Sequence, residues 1–244
     1  MELIPITDFD RRYFPEVTED EKIDFILHSN EMERIFMKRE EVQSNLLFQG
    51  RAHPAVSGQM RCIHLVIQLA ENPNLFPKAN LITMKNFDSQ FPWLKQLHKN
   101  LLHDFWKKGE ELINSIDYPS KDELGQYRIH EKSLGHRQMP PPEQIQPLLI
   151  SLFQDYSSYV LSIKDQLDNP RLMEESDWKN LERKIYTTSL GIACIKPFQD
   201  GSNRVSRLTE NLLRLNAGLK FKIRDDKDQF LRDVQEHQDR YYKF

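Results

Sequence analysis

Lys196-Pro-Phe-Gln-Asp-Gly-Ser-Asn-Arg-Val-Ser-Arg207 is a polar turn set between two apolar helical patterns. Pro197 disfavours helical geometry at Lys196, so the helix predicted from about Trp178 to Ile195 must end there. A new helix is predicted from near Arg204, with Leu208, Leu212 and Leu215 on one face and Gly218 as its stop. Asp200-Gly-Ser-Asn203 therefore reads as a helix entry. Free backbone N–H groups and the positive end of the helix dipole face outward at such a place and bind anions. Gly201 permits a tight cradle. Arg204 and Arg207 lie about one turn apart and can face the same anion. Asp200 is a hard oxygen donor of the kind that suits Mg²⁺. The same residues also permit a plain capped loop in which Asp200 pairs with a nearby arginine.

Outward from this loop, helical periodicity dominates. Thr18-Glu-Asp-Glu21 is a capping-box pattern followed by Ile23, Ile26, Leu27 and Met32. A second helix is predicted over Met37 to Leu47, a break over Gly50 to Gly58 around Pro54, and a third helix from Gln59 to Ala70, stopped by Asn72-Pro-Asn74. Phe91, Leu94, Leu97, Leu101 and Phe105 mark another helix, and Ile145, Leu148, Leu149, Leu152, Tyr156 and Val160 another. Between them, Tyr118 to Pro142 is the least helical stretch and has room for a short hairpin. A last helix is predicted over Asp225 to Tyr241. No repeat or linker divides residues 1–244, so the expectation is a single, mainly helical, all-α domain with one small hairpin.

Composition narrows the function classes. The 244 residues carry a net charge of −3, which gives no support for nucleic-acid or membrane-surface binding. Eight glycines are few for this length and agree with a helical protein. Cys62 and Cys194 lie in apolar helical contexts without metal-site spacing and read as buried free thiols. Neither a basic-then-apolar leader nor a membrane-spanning run is present, so a cytoplasmic location is expected.

The loop resembles the signature of the Fic family, H-P-F-x-[DE]-G-N-G-R-x-x-R. Pro197, Phe198, Asp200, Gly201, Arg204 and Arg207 match at the right spacing. Lys196 stands for the histidine, Ser202 for the asparagine and Asn203 for the last glycine. Upstream, Gly125-Gln-Tyr-Arg128 and Pro140-Pro-Pro142 resemble the borders of the family's target-docking flap, and Leu97-His98 resembles the approach to its core. The resemblance implies a Fic core over 88–244 with a flap near 128–139. It implies a cleft for ATP with Mg²⁺, or for another nucleotide, and AMP passing to a protein hydroxyl. Asp200 would hold the metal, Gly201, Ser202, Asn203, Arg204 and Arg207 the phosphates, and Phe198 would wedge the loop. The flap would pair with an extended target segment.

Ser29-Asn-Glu-Met-Glu33-Arg34 further resembles the family's inhibitory motif, [ST]-x-x-x-E-[GN], except at Arg34. It implies an inhibitory helix over 18–36 with Ser29 and Glu33 on one face and Glu33 reaching Arg207. The alternative is a solvated helix glutamate.

Lys196 falls at the position of the family's catalytic base. Ordinary lysine is neutral in only roughly one molecule in a few thousand at pH 7, so it is expected to stay protonated and clamp phosphate. Asn203 is expected to crowd the cradle, and Ser202 to keep a capping oxygen. Three readings follow. The chain binds a nucleotide or other phosphorylated ligand with AMP transfer weakened or lost. Alternatively it transfers AMP or another phosphate-containing group using a substitute base such as His130 or His136, or it is a non-catalytic interaction module.

Overall fold

A computed structural model describes residues 15–47, 53–72, 75–109, 121–134, 137–224 and 226–242. Gly50, Pro73, Asn74, Tyr118, His136 and Asp225, which entered the predictions above, lie outside them. The described chain is mainly helical, as expected, in the order α1 (Glu19–Met32), α2 (Arg39–Leu47), α3 (Pro54–Ala70), α4 (Phe87–Gln90) and α5 (Pro92–Gly109), then β1 (Ser133–Leu134), β2 (Arg137–Gln138), α6 (Pro142–Ser162), α7 (Lys164–Asp168), α8 (Glu175–Ile195), α9 (Ser202–Asn216) and α10 (Lys227–Tyr241).

The capping box forms as the sequence predicts. Thr18 Oγ1 accepts from the Glu21 N–H at 3.2 Å, and the Glu21 carboxylate accepts from the Thr18 N–H at 2.8 Å. The predicted break at Pro54 is corrected: α3 begins there, because proline at a first helical position lacks only an N–H that would be unpaired anyway. Gly58 is a helix residue rather than part of a break. A Cβ there would lie 2.3 Å from the Leu101 carbonyl oxygen, so α3 and α5 approach backbone to backbone at that glycine. Helix α9 begins at Ser202, two residues before the predicted start, and closes in a Schellman turn. Gly218 there takes φ 76°, its N–H donates to Leu215 O at 3.0 Å, and the Leu219 N–H donates to Arg214 O at 2.8 Å.

Helix α9 is the axis of the molecule: all but two of its residues are buried, and α3, α5 and α8 pack around it. One hydrophobic core includes Phe25 and Ile26 of α1, Val42 of α2, Ile63 of α3, Leu97 of α5, Phe153 of α6, Ile192 of α8 and Leu208 of α9. Fully burying such side chains contributes about 1.5–3 kcal/mol each. The inhibitory-motif helix therefore shares its core with the helix that carries both arginines. Cys62 and Cys194 are buried free thiols, as expected. Among the described residues, no helix is long and apolar enough to cross a membrane.

Candidate functional site

The loop is built from the end of α8 to the start of α9. Pro197 bars right-handed continuation at Lys196, and the chain turns left-handed there, at φ 49° and ψ 60°, in a residue other than glycine. Gly201 is left-handed as well, at φ 74°, and a Cβ on it would stand 3.2 Å from Leu101 Cδ2. Phe198 is fully buried, which agrees with its expected role as a wedge. The expected capping by Ser202 is corrected: Gly201 is the N-cap residue of α9, without a side-chain cap, and the Ser202 hydroxyl instead accepts from the Phe198 N–H and donates to the Phe198 carbonyl, both at 3.1 Å.

Two further groups rivet this loop, and sequence reasoning assigned neither a part in it. The His98 ring stacks on Phe198 with centroids 4.1 Å apart and planes within 3°. Its Nδ1 accepts from the Gly125 N–H at 2.9 Å, which leaves the proton on Nε2, 3.1 Å from the Asp200 carbonyl oxygen. Burial pushes the ring's pKa down to about 3, so it stays neutral. Arg128 is the second rivet. Its N–H donates to Pro197 O at 2.9 Å, its Nε to Lys196 O at 2.8 Å, and its guanidinium also reaches the carbonyls of His130 and Pro140. The flap is therefore tied to the loop at its base. Beyond it β1 and β2 pair antiparallel, Ser133 with Gln138 and Leu134 with Arg137, which supplies the expected hairpin. A usable signal for His98 was a lone histidine on the apolar stripe of Leu94, Leu97 and Leu101.

Arg204 and Arg207 are each only 3 % exposed. Arg204 Nη2 lies 3.2 Å from Asp200 Oδ2, and its guanidinium sits 5.8 Å from the Phe105 ring centroid. Arg207 Nη2 donates to Ser29 O at 3.2 Å, Ser29 Oγ at 3.0 Å and Glu33 Oε1 at 3.2 Å. Ser29 and Glu33 thus meet the loop at the arginine the motif predicted. Further along α9, Glu210 holds Arg224, Asn211 holds the backbone of Lys222 and Arg214 holds Glu182, while the Thr209 hydroxyl is buried without a partner. Nε and Nη1 of both Arg204 and Arg207 are also buried without a hydrogen-bond partner in the protein. A buried charged donor left unpaired is costly, and these four nitrogens are donors that the protein itself does not satisfy.

Arg34, the departure from the inhibitory motif, occupies a left-handed position at φ 62°. Its N–H donates to Glu31 O and the Ile35 N–H donates to Asn30 O, both at 2.9 Å, closing α1 as a Schellman turn. The motif's preference for glycine or asparagine at this place is therefore a backbone requirement. The Arg34 side chain is exposed, so the substitution strains the turn and leaves Glu33 docked.

The structure changes the expectation for Lys196. The residue is 8 % exposed and its ammonium donates to Asn203 Oδ1, so two of the three departures from the signature hold each other. Burial pushes the Lys196 pKa down to about 8, against which the Glu33 charge pulls it up and Lys132 and Arg207 push it further down. Roughly one molecule in ten is then neutral at pH 7. Asp200 itself keeps 37 % of its side chain exposed while paired to Arg204. Among the described residues, no group of three or more His, Cys, Asp or Glu is placed to hold a metal ion.

A sequence profile of the Fic/DOC family matches residues 89–213. The fold is similar to the crystal structure of a Fic-domain-containing signalling protein from Bacteroides thetaiotaomicron VPI-5482, at a TM-score of 0.60 and 15 % identity over 89 % of this chain and 71 % of that one. It is also similar to a Fic family protein from Desulfovibrio desulfuricans G20, at a TM-score of 0.51 and 18 % identity over 91 % of this chain and 60 % of that one. No curated protein matches the sequence.

Proposed function

Since the chain belongs to the Fic/DOC family and keeps the phosphate-facing residues of its loop without the histidine, we propose that it binds a nucleotide or a similar phosphorylated ligand, with standard AMP transfer weakened or lost. The observation that carries this reading is the set of four unpartnered guanidinium nitrogens on Arg204 and Arg207 at the start of α9. Gly201, Ser202 and Asn203 form the helix entry whose amides would add to that cradle. Should Mg²⁺ accompany the nucleotide, Asp200 is the carboxylate this loop has to offer it, since Mg²⁺ binds phosphates through few protein donors.

Loss of transfer follows from Lys196. A target hydroxyl needs a neutral acceptor for its proton, and most Lys196 side chains are ammonium at neutral pH. A bound polyanion stabilises that charge further. Glu33 on Arg207 reads as an inhibitory contact, because it occupies a donor that a terminal phosphate would use. The flap is the proposed dock for an extended protein segment: Arg128 anchors it and Ile129 beside it is 72 % exposed.

Calorimetry with Mg·ATP tests the reading. Glu33→Gln should bind at least tenfold more tightly than the wild type, and intact-mass spectra of target lysate should show little added AMP. Absence of heat from both proteins would overturn it.

A further inference from the structure

The loop and the start of α9 gather Lys132, Lys196, Arg204 and Arg207 against two carboxylates, Glu33 and Asp200. Lys196 is the anomaly among them. Its ammonium rests on Asn203, the second residue of α9, and so lies at the positive end of a helix dipole, where a cation is disfavoured. It is also largely buried, which penalises the charge again. A lysine so placed makes electrostatic sense when an anion lies against it. We propose that a polyphosphate binds this cluster without a divalent cation, with Lys196 supplying the positive charge that a metal ion would bring. This rests on the nucleotide-binding reading above and specifies how that site works.

Two further observations support it. Asp200 is already engaged, with Oδ2 3.2 Å from Arg204 Nη2. Drawing a divalent ion onto Asp200 would set it against that guanidinium and would compete for the same carboxylate. Meanwhile the four unpartnered nitrogens of Arg204 and Arg207, with the Lys196 ammonium, give charge-assisted donors enough to pair directly with phosphate oxygens once the ligand displaces Glu33. Lys132 stands next to them, its ammonium on the Gln199 carbonyl. Asn203, in the place of a glycine, then acts as the bracket that aims Lys196 at the ligand.

The test is calorimetric titration of ATP into the full chain in Mg²⁺ and in EDTA, with Lys196→Met, Lys196→Arg and Asp200→Asn alongside and thermal melts to confirm folding. The wild-type Kd should agree within about threefold between the two buffers. Lys196→Met should lose at least tenfold in EDTA and recover part of it with Mg²⁺, while Lys196→Arg should stay indifferent to the metal. Asp200→Asn should bind ATP more tightly in EDTA than the wild type. A tenfold or larger loss of wild-type affinity on chelation, or unchanged affinity of Lys196→Met in EDTA, would overturn the proposal and leave nucleotide binding intact. No binding in either buffer would overturn the nucleotide reading and this inference with it.

Discussion

Replacing Lys196 with methionine should stabilise the protein in a way that depends on pH. Burial takes the ammonium from an ordinary pKa of 10.5 to about 8. Between those values the unfolded chain holds a proton that the folded chain has released, so raising the pH favours the folded state. Below pH 8 both states are protonated and the full penalty of burying the charge is present. The penalty is about 3 kcal/mol at pH 7, about 2 kcal/mol at pH 9 and under about 1 kcal/mol at pH 10. Methionine has similar length and no charge, so it carries none of this. Other groups also titrate in that range: the Cys62 thiol is pushed up to about 12, and burial raises the Tyr127 and Tyr156 phenols. Their effect is common to both proteins and cancels in the difference. The assay is urea unfolding of wild type and Lys196→Met at pH 7, 8, 9 and 10, with the stability gap plotted against pH. The gap should shrink by about 2 kcal/mol over that range. A gap that stays flat would show that Lys196 is not held charged against burial, and the reasoning about its proton would fail.

Three further outcomes follow from particular residues. Arg34→Gly should raise stability by about 0.5–1 kcal/mol, or about 2 °C in Tm, because a left-handed turn at φ 62° suits glycine; a lower Tm would contradict the backbone account of the motif. Gly58→Ala should destabilise by about 1–3 kcal/mol by forcing α3 from the Leu101 carbonyl, as read by chemical unfolding, and a neutral result would mean the helices do not approach so closely. His98→Gln should make stability less sensitive to acid. With its folded pKa pushed down to about 3, the wild-type ring loses its contribution as pH falls through the window from 6.5 to 3, by about 1.4 kcal/mol per unit, and equal acid sensitivity of both proteins would refute the neutral, buried ring.

Much of this was legible in the chain. Capping box, Schellman glycine and amphipathic stripes are local signals, and Thr18, Gly218 and the Leu97–Leu101 face behave as local physics requires. The loop was legible because proline, glycine and paired arginines at fixed spacing leave few conformations. Pro54 misled because proline both breaks helices and starts them, and only the partner helix under Gly58 decides which. The pairing of Lys196 with Asn203 was not legible, since it spans two backbone turns and depends on how far the ammonium is buried. Nor were the partners of His98, whose ring joins α5, the Gly125 turn and the Asp200 carbonyl, segments distant in sequence.

Helix α1 places Ile23, Phe25 and Ile26 in the same core as α9, and the buried Gln59 amide donates to Asn30 on its inner face. Undocking the helix would therefore expose core side chains at a cost comparable with unfolding a substantial part of the molecule. Parting Glu33 from Arg207 is a far smaller event, the rotation of one glutamate side chain at the end of α1 that leaves Arg207 on Ser29. That sets its clock: rotamer exchange of a partly exposed side chain runs in picoseconds to nanoseconds, whereas helix release would run in microseconds or longer. Relaxation-dispersion profiles of the α1 amides should be flat, and the contact between Glu33 and Arg207 should yield to a competing anion as fast as the anion arrives.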